Sequence, residues 1–118
     1  MTEAKYFTKA KNLSATSGGA SGDVIYTCPN NFVSLIKFLI VSNGATSSKK
    51  YSIQLFESST TTYHSIADEI SLAASTNEKV IEGNSFIALA AGDKIVAFEE
   101  GGSDFHITLS GEEHFQPA

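Results

Sequence analysis

Short apolar or alternating runs set between polar turns make up most of this chain. Val24-Ile25-Tyr26-Thr27-Cys28 is rich in β-branched and aromatic residues and is stopped by Pro29-Asn30-Asn31, so it reads as a strand followed by a tight turn. Phe32 to Val41 is the most apolar stretch, with Lys37 its only charge. A period of two places Phe32, Ile36, Phe38 and Ile40 on one face of this strand and Val33, Leu35, Leu39 and Val41 on the other. A strand apolar on both faces needs two covers. One is the core of its own domain. The other is either a connection or arm of the same chain, or a neighbouring subunit, because large apolar patches tend to be interfaces.

The pattern continues to the C-terminal end. Tyr51, Ile53 and Leu55 alternate with Ser52 and Gln54, as in a half-buried strand. In Tyr63 to Leu72, Ile66 and Ile70 are four apart, and Ser65 with Asp68 resembles a capping box, yet the surrounding β context favours an irregular strand. Val80-Ile81, Phe86 to Leu89, Ile95 to Phe98 and Phe105 to Leu109 follow, separated by Glu82-Gly83-Asn84, Ala91-Gly92-Asp93 and Gly101-Gly102-Ser103. Such spacing without amphipathic helices predicts an all-β fold, an antiparallel β-sandwich or jelly-roll-like domain of seven to eight strands over residues 23–110. Residues 1–22 read as an N-terminal arm or edge strand, carrying Tyr6, Phe7 and Leu13, followed by a flexible Ser/Gly linker from Ser14 to Gly22. Residues 111–118 read as a tail outside the core.

Composition narrows the function. The chain has 118 residues, one domain's worth, with eight Phe and four Tyr for the core and Ser and Thr at many polar positions. Its net charge of -5, with no Arg, lacks the basic field that nucleic-acid binding relies on. No apolar run approaches the ~20 residues of a membrane helix, and Met1 to Tyr6 contain no signal-like segment, so a protein made soluble in a reducing cytoplasm is expected. The single Cys28 allows no internal disulfide and suits that compartment.

No residue pattern demands catalysis. His64, His106 and His114 are expected at the surface, and no Gly-x-Ser-x-Gly turn is present to position a serine nucleophile. Glu112-Glu113-His114 and His64 with Asp68 and Glu69 do not match a ligand spacing, so no metal or other cofactor is expected. Asp93, Glu99, Glu100 and Asp104 flank a Gly-Gly turn, where solvated charges are the usual reading. Cys28, with no His near it in sequence, reads as a buried inert thiol. Catalytic residues: none.

Two stretches carry a resemblance. Val24-Ile25-Tyr26-Thr27-Cys28-Pro29, followed after a short turn by the apolar strand ending at Ser42-Asn43, resembles the "Val-x-Tyr-Thr-x-Pro" opening of small β-sandwich virion proteins of tailed bacteriophages. Leu89-Ala90-Ala91-Gly92-Asp93-Lys94-Ile95 resembles the "Leu-x-x-Gly-Asp-x-Ile" turn of the same proteins. The resemblance covers roughly residues 23 to 110. It implies a virion structural protein, such as a capsid decoration or cement protein, or a tail, neck or fibre-attachment component, and it transfers no catalytic residue. Its implied partners are other virion proteins, a major capsid or tail protein, and further copies of itself in a closed oligomer such as a trimer. The expected contact residues are Tyr6, Phe7, Leu13, Val33, Leu35, Leu39 and Val41. A rival reading of a different class is a lectin-like module using Tyr51, Tyr63 and the Asp93 and Asp104 loops, against which stands the absence of Trp.

Overall fold

The computed structural model describes residues 4–116. Nine strands run in chain order: β1 Lys5–Asn12, β2 Asp23–Thr27, β3 Phe32–Asn43, β4 Lys49–Glu57, β5 Thr62–Leu72, β6 Asn77–Ile81, β7 Ile87–Leu89, β8 Lys94–Glu99 and β9 Phe105–Phe115. The segment over Tyr63 to Leu72 is a strand, as its β context predicts. Two antiparallel sheets pack face to face, an all-β sandwich. Sheet I has the order β1-β9-β3-β6, and sheet II the order β2-β8-β4-β5. In sheet I, β6 pairs with Leu39–Ser42 and β7 with Ser34–Ile36, end to end along the β3 edge that β9 leaves open. Taken as one interrupted strand, β6 and β7 reduce nine strands to eight positions. Every connection between those positions then changes sheet except the β4–β5 hairpin, which is the eight-stranded jelly-roll winding.

The core lies between the sheets. Ile36, Leu39, Val41, Phe105, Ile107 and Leu109 of sheet I meet Tyr51, Ile53 and Ile95 of sheet II, all fully or almost fully buried. A bulge decides which side of β3 faces that core. Ile36 pairs with Gly111 and Phe38 with Ser110, so Lys37 is an extra residue in the β3 strand. An extra residue inverts the alternation beyond it. Each face expected from a strict period of two is therefore cut in half. Ser34, Ile36, Leu39, Val41 and Asn43 point inward and are buried, whereas Val33, Leu35, Phe38 and Ile40 point outward. The bulge also needs glycine across from it. A Cβ built on Gly111 would overlap the Leu35 carbonyl oxygen.

At the N-terminal end the structure shows the edge strand of the two alternatives, and at the C-terminal end the expected tail is corrected. β1 pairs with β9 from Lys5↔Glu113 to Asn12↔His106, and Leu13 is fully buried. The arm is thus an edge strand whose backbone hydrogen bonds are made with its own domain. Gly111 to Phe115 continue β9, pairing with β1 and β3, so that stretch belongs to sheet I. Phe115 meets Phe32 edge-on at 5.5 Å between ring centroids, and the Gln116 amide donates to the Asn31 carbonyl. Residues 1–3 and 117–118 of the expected arm and tail lie outside the described residues.

The linker from Ser14 to Gly22 is pinned. The Ser14 and Ala15 amides donate to Asp23 Oδ2 at 2.7 and 2.9 Å, the Glu99 amide donates to the Ala15 carbonyl, and the Gly19 amide donates to Gln54 Oε1. Gly22 packs so tightly on Val96 that a Cβ there would overlap its side chain. Small residues, which suggest a flexible link by composition, here let the backbone lie close against sheet II. Burial alone would raise the Asp23 carboxyl, but the Ala15 and Ser14 amides and Lys11, 3.7 Å away, together hold it below the usual carboxylate range.

Candidate functional site

The outer face of sheet I can be read row by row from its register, because residues directly opposite each other point to the same side. One row is Tyr6, Glu112, Leu35 and Ala88; the next is Thr8, Ser110 and Phe38; a third is Ala10, Thr108, Ile40 and Lys79; a fourth is Asn12, His106, Ser42 and Asn77. Val33 lies beside His114 at the other end. Val33, Leu35, Phe38 and Ile40 therefore form one half-buried apolar column along β3. Two exposed aromatics flank it. Tyr6 on β1 is 81% exposed, and Phe86, in the connection just before β7, is 56% exposed.

Charge on this face is sparse and mostly paired. Lys37 Nζ lies 3.4 Å from Glu112 Oε2, and His114 Nε2 lies 2.9 Å from Glu112 Oε1. The hydrogen bond with His114, and more weakly the nearness of Lys37, hold the Glu112 carboxyl below its usual range. His106 and Asn12 are hydrogen bonded across β9 and β1. Beside the bulge, a shallow depression of about 370 Å³ opens among Tyr6, Thr8, Lys37, Ser110 and Glu112.

The expected contact residues split between this face and the core. Tyr6, Val33 and Leu35 are on the outer face. Leu13, Leu39 and Val41 are fully buried, and Phe7 points inward and stacks on Tyr26 at 4.4 Å between ring centroids. Leu13, Leu39 and Val41 pack inside the sandwich, and Phe7 is half-buried and also lines the depression beside Lys37; for Leu39 and Val41 the cause is the bulge at Lys37. Phe38, Ile40 and Phe86 take their place. The lone charge of Lys37 inside an apolar run was the one sequence signal for the bulge, and the alternation of Phe86 and Ala88 with Ile87 and Leu89 was the signal for Phe86.

The groups with chemical potential are tied into the fold. Ser34 Oγ lies 3.1 Å from Cys28 Sγ and 2.7 Å from the Tyr26 hydroxyl, which donates in turn to Glu113 Oε2. Burial, foremost, raises the Cys28 thiol, so it stays protonated and is a poor nucleophile. Of the loop carboxylates read as solvated, Glu100 is exposed and Asp104 half-buried, whereas Asp93 and Glu99 are buried fasteners. Glu99, only 2% exposed, accepts from the Ser103 and Phe105 amides, and Asp93 accepts from Ser58 and Ala90. Asp104 binds Lys49 at 2.9 Å, and Glu100 accepts from the Lys50 amide. Asp93 and Glu99 sit this deep because backbone amides satisfy them.

Of the residues named for sugar binding, Tyr51 is buried and hydrogen bonded to Glu78, and Asp93 is engaged in its turn. Tyr63 packs beside Phe56 on the outer side of sheet II. His64 and His106 are exposed and His114 is half-buried. Among the described residues, no group of three or more His, Cys, Asp or Glu is placed to hold a metal ion, and no helix is long and apolar enough to cross a membrane. Comparison of the chain with protein-family models, with characterised proteins and with solved structures finds no match.

Proposed function

We propose that this chain is a non-enzymatic structural protein of a tailed-bacteriophage virion, a capsid decoration or cement protein, and that it docks on a capsid protein through the outer face of sheet I. The observation that carries the docking reading is the column Val33, Leu35, Phe38 and Ile40, extended by Tyr6 and Phe86. Four apolar side chains in line along β3 form the kind of patch that marks a protein contact, with the exposed Tyr6 on the same face beyond Glu112. The virion assignment rests on the resemblance of the Val24 to Asn43 and Leu89 to Ile95 stretches. A jelly roll also suits a building block, since it is a stable scaffold recurrent in capsid proteins.

Immunogold labelling of virions of the phage that encodes the protein, with antibody against the purified chain, tests this directly. Label over the head supports the decoration role. Label on the tail or neck transfers the same docking face to a tail component, and unlabelled virions from cells that make the protein overturn the virion assignment.

A further inference from the structure

We propose that a cavity on the outer side of sheet II, among Thr16, Lys50, Ser52, Glu69, Phe98 and Glu100, binds one uncharged pyranose ring of a glycan. It lies on the other sheet from the proposed docking face and does not depend on that reading.

Three segments build the cavity. Tyr51 and Ile53 of β4 are buried in the core, so Lys50 and Ser52 lie on the outer side, where Ser52 pairs with Phe98 of β8. The pinned Ser14 to Gly22 segment crosses over them. A Cβ on its Gly18 would overlap the Phe98 ring and Gln54, so glycine lets the segment lie close enough for Thr16 to form one wall. The opposite wall is β5, whose register against β4 breaks twice, between Tyr51 and Ile53 and between Ile53 and Gln54. Glu69 sits in the first break with φ +49°, a left-handed backbone uncommon for a residue with a Cβ, and its amide donates to Ser52 Oγ at 2.9 Å. Bulges re-aim side chains beside binding sites, and strain of this kind gathers there.

The unspent polar groups define the ligand. Ser52 is 3% exposed; its oxygen accepts from the Glu69 amide, while its proton has no acceptor among the described residues. A buried donor left unmade is costly, and the cavity is where an acceptor can reach it. Neither Lys50 Nζ nor the Glu69 carboxylate enters an ion pair among the described residues. Glu100 Oε1 takes the Lys50 amide, leaving Oε2 open. The cavity thus offers a hydroxyl and an ammonium as donors, two carboxylates as acceptors, and the half-buried Phe98 ring. A pyranose meets all of them, because each hydroxyl both donates and accepts and its C–H face is apolar enough to lie on an aromatic ring. Two carboxylates against one ammonium disfavour an anion. Among the described residues no three carboxylates are placed to hold a metal ion, so the site does not suit a bare cation. The volume, about 190 Å³, is below the roughly 300 Å³ at which sites for drug-sized ligands begin, which fits one ring with the rest of the glycan outside.

The test is an amide NMR titration of the labelled protein with the methyl glycosides of glucose, galactose, mannose, rhamnose and N-acetylglucosamine. Each is raised to about 50 mM, well above the ~1 mM dissociation constant expected for a single ring. At least one glycoside should shift the amides of Lys50, Ser52 and Glu69 along a saturating curve. Lys50→Met and Glu69→Gln alter exposed side chains and leave the backbone bond to Ser52 in place, so both should fold, and each should weaken binding about tenfold or more. No saturating shift with any glycoside overturns the inference, as do shifts confined to other residues or affinities unchanged in both variants. Saturating shifts with inorganic phosphate but with no glycoside overturn the uncharged-sugar assignment. A sugar bound here by a protein absent from virions leaves this site standing while the proposed function falls.

Discussion

The Tyr26 hydroxyl on β2 donates to the Glu113 carboxylate on β9 at 2.5 Å, so one hydrogen bond bolts sheet II to sheet I. Tyr51 of β4 makes a matching bond to Glu78 of β6. In each case a buried phenol reaches a carboxylate on the opposing sheet, where a charged acceptor strengthens the bond. Tyr26→Phe removes one bolt and is expected to lower stability by about 1.5–3 kcal/mol, the range for hydrogen bonds to charged groups. Denaturant titration checks this; an unchanged midpoint would show that the bolt contributes nothing.

Alkali should loosen both bolts. Burial, reinforced by Glu113 for Tyr26 and by Glu78 for Tyr51, raises both phenols well above the usual tyrosine range. A group with a raised folded pKa stabilises fully below its unfolded value, about 10 for tyrosine, and that stability is lost as pH rises above it. Unfolding free energy should therefore decline above about pH 10, by up to about 1.4 kcal/mol per pH unit for each of the two. A Tyr26→Phe/Tyr51→Phe variant should decline less steeply over the same range. Parallel curves for the two proteins would refute the assignment.

Two leucines on β3 should behave oppositely. Leu39 is fully buried, and Leu39→Ala is expected to cost about 2–5 kcal/mol. Leu35 points outward, and Leu35→Ala is expected to cost the monomer less than about 1 kcal/mol. Thermal melts of the two variants under monomeric conditions decide it, and equal losses would place both side chains in the core.

Gly111→Ala is expected to destabilise by about 3 kcal/mol or more, because the new methyl overlaps backbone at the β3 bulge and no side-chain rotation relieves it. Circular dichroism melts should show a much lower midpoint. A near-native midpoint would mean that the bulge relaxes freely.

Deleting residues 1–13 is expected to unfold the domain or lower its midpoint sharply, because it strips β1 from β9 and removes the buried Leu13. A midpoint close to that of the full chain would show that β1 adds little to the sandwich and return the segment to the reading as an arm.

The strands themselves were legible in the sequence, since period-two alternation, β-branched and aromatic content, and Gly, Pro and Asn turns are local signals that each segment carries alone. That is why Tyr51 to Leu55, Ile95 to Phe98 and Phe105 to Leu109 lie where the pattern puts them, and why His106, between two core residues, faces solvent. The sandwich class follows from the same signals. What only the tertiary structure decided depends on pairing between distant segments. The bulge at Lys37 exists through its register with Ser110 and Gly111, and it reassigned Leu39 and Val41 to the core and Phe38 and Ile40 to the surface. The arm became β1 because β9 extends to Phe115 to receive it, and the Ser/Gly link was pinned by Asp23 and Gln54. Burial of Glu99 likewise depends on amides that the chain supplies only once folded. Local patterning sets which residues form strands; which face of a strand is inside is set by hydrogen bonds to partners that lie tens of residues away.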